Sequence, residues 1–435
     1  MGKTVNRVMG VMGLSSPDVD ERATPRGTPS GRQATGGWIL GTALLMGTMG
    51  WGHPLSGQDL LWSFETEGAL FSSPTLHGEA AYVGSGDGNL YAVELATGNE
   101  IWRFPTGSPV DATPAVADGT VFVLSRSGTL HAVDADDGRE RWSYRTGGET
   151  RLDFWDFYLS DPLVHGGMVV FGSGDGGIYA LDRVSGGLLW TFETDAPVHG
   201  AAVADGDHVY VGGFDGILYA LKAESGEVSW TFHARGNEFF PRGEFQRGPA
   251  LHDGVLYVGS RDYRLYAIRA EDGEPLWEKQ EGDGWIIATP LVAAERLYFG
   301  ASDGQRFYAL DRGTGEVGWS IPVQTRVFGS AVEMGGSVVF GRFNGKLLAV
   351  DPSSGEVRWT FQTPASRRNF HRVYDETGRL SEEMRELYRS GRGLEAEERI
   401  LTLGSIPGTP AVRGTTVYFG TTEGILHAVE VSSGS

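Results

Sequence analysis

The 435-residue chain contains no cysteine. That one absence excludes disulfides, thiolate metal ligands, haem attachment through C-x-x-C-H and a lipid-bearing lipoprotein cysteine. Positive charge is scarce as well: 36 Lys and Arg stand against 56 Asp and Glu, a formal net charge of −20. A field of that sign repels phosphate backbones, so no nucleic-acid partner is expected. No H-E-x-x-H or His-rich spacing occurs, and a zinc reading has no support. What is abundant is glycine, 66 residues spread at intervals, which marks many turns rather than low complexity.

The N-terminus differs from everything after it. Residues 1–36 are rich in Ser, Thr, Gly and Pro, without periodicity, and read as a disordered leader. Residues 37–57 contain "WILGTALLMGTMGWG" (Trp38–Gly52), shorter than the ~20 apolar residues that cross a bilayer comfortably. It fits the apolar region of a signal peptide, with small residues offering cleavage after Gly52 or Gly57, or a retained membrane anchor. The leader before it is long, so the true start can also lie downstream. Either way the chain is expected to be exported, to a periplasm or cell envelope.

From Leu60 onward the sequence counts itself off. Trp62, Trp102, Trp142, Trp190, Trp230, Trp277, Trp319 and Trp359 recur at spacings of 40, 40, 48, 40, 47, 42 and 40 residues. A period near 40 with several strands per unit is the signature of a β-propeller. One unit reads "DATPAV", "TVFVLS", "TLHAVD" and "RERWSY", four short strands A to D separated by glycine turns. Asp87-Gly88, Asp175-Gly176, Asp215-Gly216, Asp303-Gly304 and Asn344-Gly345 fall between strands B and C, where such pairs favour positive φ and close hairpins. "DRGTGEVGW" (Asp311–Trp319) and its relatives join C to D, each leading Asp capping its own turn. The last unit, ending in "GILHAVEVSSGS", lacks a W strand, and "LLWSF" (Leu60–Phe64) is a W strand without a unit. Joined, they make one blade and close a ring of eight four-stranded blades over residues 58–435, leaving no open end.

The pattern A-x-D-x-x-[ST]-G-x-x-x-W, as in "ALDRVSGGLLW" (Ala180–Trp190) and "AVDPSSGEVRW" (Ala349–Trp359), resembles the tryptophan-docking motif of the quinoprotein (PQQ-like) propeller repeat family. The resemblance covers about residues 60–365 and 405–435. It implies that each of the eight tryptophans packs on the neighbouring blade as structure rather than as a cofactor platform. It also implies two different roles. One branch of the family comprises dehydrogenases that bind PQQ with calcium over the ring axis; the other comprises BamB-like scaffolds of outer-membrane protein assembly, which carry no cofactor and bind proteins. The cysteine pair beside the quinone in the first branch has no counterpart here.

Departures from the period localise function. Insertions at about 147–160, 236–248 and 366–404 all precede an A strand, so they emerge on one face, where long loops on a rigid scaffold carry binding chemistry. Together with inner-strand residues on that face they supply Asp111, Trp155, Tyr158, His199, Phe240, Arg242, Arg247, Trp285, Arg326, Phe328, Arg368 and His371 as the candidate ligand or partner face. Aromatic–arginine surfaces suit protein interfaces, arginine forks suit carboxylates, and the same rings can simply pack the loops onto the ring. "LSEEMRELYRSG" (Leu380–Gly391) has helical spacing with Ser381 as N-cap, and "LEAEERILTLG" allows a second short helix. Asp111, Asp153, Asp156, Glu238, Glu244 and His199 are the available acids and bases, with no diagnostic spacing; no catalytic or metal-ligating residue is assigned. The expectation is an envelope scaffold that binds a protein or peptide and needs no cofactor. The alternatives are a PQQ- and calcium-dependent dehydrogenase lacking the cysteine pair, and a small-ligand sensor.

Overall fold

The computed structural model describes residues 58–431, apart from 281 and 283; the leader, the segment 37–57 and its membrane or export role lie outside the described residues. Eight four-stranded antiparallel sheets form the ring. The first blade is β2–β5 (Thr75–His77, Ala80–Gly84, Asn89–Glu94, Glu100–Pro105), and the sequence β6–β29 (Ala115–Ala117 to Val357–Gln362) continues in the same order through the seventh. The eighth is built from both ends of the chain. β1 (Gln58–Glu65) pairs antiparallel with β32 (Ile425–Val431), beside β31 (Thr416–Gly420) and β30 (Ala411–Arg413).

Within a blade the strands differ because their surroundings differ. The second strand of the second blade, β7 (Thr120–Ser125), is buried along its whole length, as a strand covered on both faces must be. The outer strand β9 (Glu140–Arg145) alternates between exposed and half-buried. Neighbouring blades close over shared apolar cores: Phe122 and Leu130 of the second meet Val169 and Phe171 of the third. Phe307 and Phe340 stack at 3.8 Å between the sixth and seventh.

The tryptophans dock as the repeat implies. A β-bulge precedes the docking Trp in every outer strand and sets it opposite a recurring alanine, as with Trp102 and Ala92 or Trp62 and Ala428. The indole then crosses to the next blade, where Trp102 Nε1 donates to Ala135 O at 3.0 Å and the ring covers Gly138. Trp62, Trp142, Trp190, Trp230, Trp277 and Trp319 each donate in the same way to a carbonyl of the blade that follows. Trp359 packs into the core shared with the eighth blade. Trp102 and Trp190 are buried; the other six are half-buried, more exposed than a core assignment supposes, because an outer strand has no further strand to cover it.

The B–C turns need one correction. Gly88 takes φ +89 while Asp87 stays in the ordinary region, its carboxylate accepting from Asn89 N and Tyr91 Oη. At Asp303-Gly304 the positive φ falls instead on Gln305, so the pair does not mark the left-handed position there. The C–D aspartates cap their turns as expected: Asp311 Oδ1 accepts from Gly313 N and Thr314 N.

The third insertion is helical: α1 (Pro364–Val373), α2 (Glu382–Arg389) and α3 (Gly393–Leu401). Ser381 Oγ accepts from Met384 N at the start of α2, and Gly391, at φ +78, ends it. α1 was not anticipated, although its signals stand in the sequence: Thr363 accepts from Ser366 N, and Pro364 opens the first turn. None of the described helices is long and apolar enough to cross a membrane.

Candidate functional site

The three insertions meet over one mouth of the ring and share a single apolar cluster. Trp155, Phe157 and Tyr158 come from the first insertion and Phe240 from the second. Val373, Tyr374, Met384, Leu387, Ala396 and Ile400 come from the third; Trp285, Phe328 and Phe343 rise from the ring beneath. The rings pack edge to face, Trp155 on Phe328 at 6.1 Å and Phe240 on Trp285 at 5.0 Å. Tyr158 Oη donates to Pro407 O at 2.9 Å, tying the third blade to the eighth. The insertions therefore form a cap with its own core, and the helical excursion is packed into it.

Polar residues of the face are held inside this packing. Arg261 Nη1 donates to Asp153 Oδ2 at 2.6 Å, and its Nε to Gln246 Oε1 at 3.0 Å; Gln246 Nε2 in turn donates to Trp155 O at 2.8 Å. His199 lies buried between two carboxylates, Nδ1 2.9 Å from Asp156 and Nε2 3.2 Å from Glu149. Burial works against its charge, but hydrogen bonding and attraction from Asp156 and Glu149 win and raise its pKa to about 9. Arg247 stacks on Tyr158, its guanidinium carbon 4.4 Å from the ring centroid. Asp111 is buried against Arg126 Nε; burial raises its pKa, with Arg126 acting in the opposite sense.

The candidate face thus divides in two. Asp111, Trp155, Tyr158, His199, Phe240, Arg247, Trp285 and Phe328 are buried in the cap or in its seat on the ring. Arg326 lies beneath it, its Nη1 donating to Glu397 of α3. Arg242, Arg368 and His371 stay exposed on the outer surface, with Phe239 exposed beside Arg242. Among the described residues no three His, Asp or Glu side chains are arranged to hold a metal ion.

Sequence reasoning overlooked three groups here. Glu149 and Arg151, inside the first insertion, carry polar contacts that no motif announces. Gly300–Gly304 ("GASDG") matches the G-x-S-x-G string of nucleophilic serines. Its context refutes that chemistry: strand β24 (Arg306–Asp311) follows rather than a helix, and the buried Ser302 Oγ accepts from Trp285 N at 2.8 Å.

The ring and its cap can be compared with known proteins. The model of the family described as outer membrane protein assembly factor BamB matches residues 53–154, 153–243 and 236–435. Among solved structures, BamB from Moraxella catarrhalis superposes with a TM-score of 0.65 at 18% identity, over 86% of this chain and 99% of that one. The computationally designed Ika8 protein gives 0.65 at 15%, with the same coverage. A quinohemoprotein alcohol dehydrogenase from Comamonas testosteroni gives 0.64 at 14%, over 87% of this chain and 77% of that one. At such identities the structural likeness establishes the eight-bladed fold and no activity. A comparison with curated proteins finds no match. The family match spans the whole described ring, and the chain belongs to the BamB family of PQQ-like β-propellers.

Proposed function

We propose that this protein is an exported scaffold of the cell envelope that binds a protein or peptide partner, in outer-membrane protein assembly, through the outer surface of its cap. The family match across residues 53–435 carries the reading. With the mouth filled by its own aromatic core, the insertions carry Phe239, Arg242, Arg368 and His371 on their outside, among exposed carboxylates such as Glu238, Glu382 and Glu383. Aromatic and arginine anchors are enriched where proteins meet. Residues 38–52 serve in this reading as the export signal or as a membrane anchor.

The dehydrogenase reading draws less support. Asp111, His199, Arg247 and Trp155, the residues a quinone and calcium would call on, are engaged by Arg126, by Glu149 and Asp156, by Tyr158, and by Phe328 and Arg326. The rings of the mouth pack on one another rather than around an opening for a planar cofactor. These residues do not fit PQQ with calcium.

Site-specific photo-crosslinking in the native envelope tests the proposal. A crosslinker at Phe239, Arg242 or Arg368 is expected to capture a component of the outer-membrane assembly machinery, and one at Asp118, in an A–B turn of the second blade, is not. Capture of no such component from the cap, or equal capture from both positions, overturns it.

A further inference from the structure

A cleft of about 370 Å³ runs along the edge of the cap, between the first insertion and the first two blades. Its volume lies within the ~300–1,000 Å³ typical of small-molecule sites. One side is apolar: Phe71 and Phe157 stack with centroids 4.6 Å apart, and Leu401, the last residue of α3, lies beside them. The other side is cationic. Arg126 reaches it from a B–C turn with Nη2 donating to Phe157 O at 2.7 Å, and Arg151 reaches it from the first insertion.

The lining of this cleft holds more cations than anions. Asp111, at its floor, is paired with Arg126. Arg151 has no carboxylate partner among the described residues. It donates to the carbonyls of Asp153 and Phe154 and lies over Phe157, its guanidinium carbon 5.4 Å from the centroid. Partial burial and the like charge of Arg126 work against its protonated form and outweigh the attraction of Asp156, Asp111 and Asp153. Among the residues that line the cleft, two guanidiniums stand with one carboxylate beside an apolar wall. A monoanion would meet both cations, and the forked donors of arginine suit a carboxylate.

We propose that this cleft binds a monocarboxylate with an apolar body, whether a free organic acid or the C-terminal residue of a peptide. The carboxylate sits against Arg151 and Arg126, and the apolar group lies on Phe71, Phe157 and Leu401. This goes beyond the scaffold reading and uses a different surface from Phe239, Arg242 and Arg368.

Calorimetric titration of the full chain tests the site with two matched pairs of probes. The first is 3-phenylpropionate against 3-phenylpropionamide; the second is Ala-Ala-Phe with a free against an amidated C-terminus. In at least one pair the acid should bind about tenfold or more tightly than its amide, the worth of a charge-assisted hydrogen bond. Arg151→Gln should abolish that preference and Arg151→Lys should restore part of it, with circular dichroism showing both variants folded. Preference in the first pair alone assigns the site to small acids; a stronger preference in the second assigns it to peptide ends. Equal binding of acid and amide in both pairs, no binding at millimolar concentration, or a preference unchanged in Arg151→Gln overturns the proposal.

Discussion

Arg326 lies over the indole of Trp155, its guanidinium carbon 4.2 Å from the ring centroid. The same side chain donates from Nη1 to Glu397 Oε2 at 2.7 Å and from Nη2 to Glu397 Oε1 at 3.0 Å. One residue of the seventh blade thereby clamps the first insertion to the third. Burial works against its charge, yet Glu397 and Asp303 hold its pKa above the ordinary arginine value. Glu397 is itself almost wholly buried, so this clamp has no solvent to fall back on.

Replacing Arg326 with Met should cost about 3–5 kcal/mol, because Glu397 is left as an uncompensated buried charge. The double change Arg326→Met/Glu397→Leu should recover most of that loss. Denaturant unfolding of the three proteins checks this, and limited proteolysis should show α2 and α3 cut first in the single variant. A single variant as stable as the parent would show that the clamp carries no weight.

The docking tryptophans allow a controlled comparison. Gly107 and Gly138 have nearly the same backbone, φ +75 and +72, but a Cβ at Gly107 meets nothing within 4 Å while one at Gly138 falls 2.8 Å from the Trp102 ring. Gly107→Ala should therefore cost only the backbone strain, about 1–2 kcal/mol. Gly138→Ala should cost that and more, approaching Trp102→Ala at about 3–5 kcal/mol. Equal losses at the two glycines, measured as shifts of the unfolding midpoint, would remove the ring contact as the cause.

His199 makes stability depend on alkaline pH. Its folded pKa, about 9, stands above the ordinary histidine value of about 6.5, so the protonated imidazole stabilises the folded chain fully below about pH 6.5. As pH rises from there through about 9 the stabilisation is lost, by up to ~1.4 kcal/mol per pH unit. Above it, Glu149 and Asp156 face a neutral ring. Midpoints of unfolding measured from about pH 6 to about pH 10 should fall in the parent and stay flatter in His199→Gln, which starts lower. Parallel curves would mean that His199 does not titrate in this window.

Ring closure rests on β1. Its register with β32 runs from Gln58 opposite Val431 to Glu65 opposite Ile425, and Trp62 reaches on to Leu95 O of the first blade. A chain beginning at Thr66 should lose the outer strand of the eighth blade and this bridge together, exposing a strand edge. A markedly lower Tm and a tendency to associate are expected, read by calorimetry and by sedimentation. Unchanged Tm would mean that the other three strands of the blade hold the ring closed.

Much of this was legible along the chain, for local reasons. The Trp spacing, the B–C turn glycines and the alternation of the outer strands report contacts within one blade or between adjacent blades, and these repeat about every 40 residues. The α2 cap at Ser381 was readable because capping is a matter of a few consecutive residues. The cap itself was not. Trp155 and Tyr158 look like surface anchors in a loop of mixed charge, and only their meeting with Phe328 and Pro407, far along the chain, makes them core. His199 gave no signal beyond its residue type, since Glu149 and Asp156 approach it from the first insertion.

By itself, then, the sequence determined the repeat, the number of blades, their closure through both ends and the face on which the insertions emerge. Each of these follows from periodicity and from hydrogen bonding over short spans. The tertiary structure decided that the insertions fill the mouth rather than line it. It also decided that most of the candidate residues are spent on packing, and that Arg126 and Arg151 come together beside an apolar wall. Those outcomes depend on which loops meet across the ring, and a pattern that repeats along the chain holds no information about contacts that do not repeat.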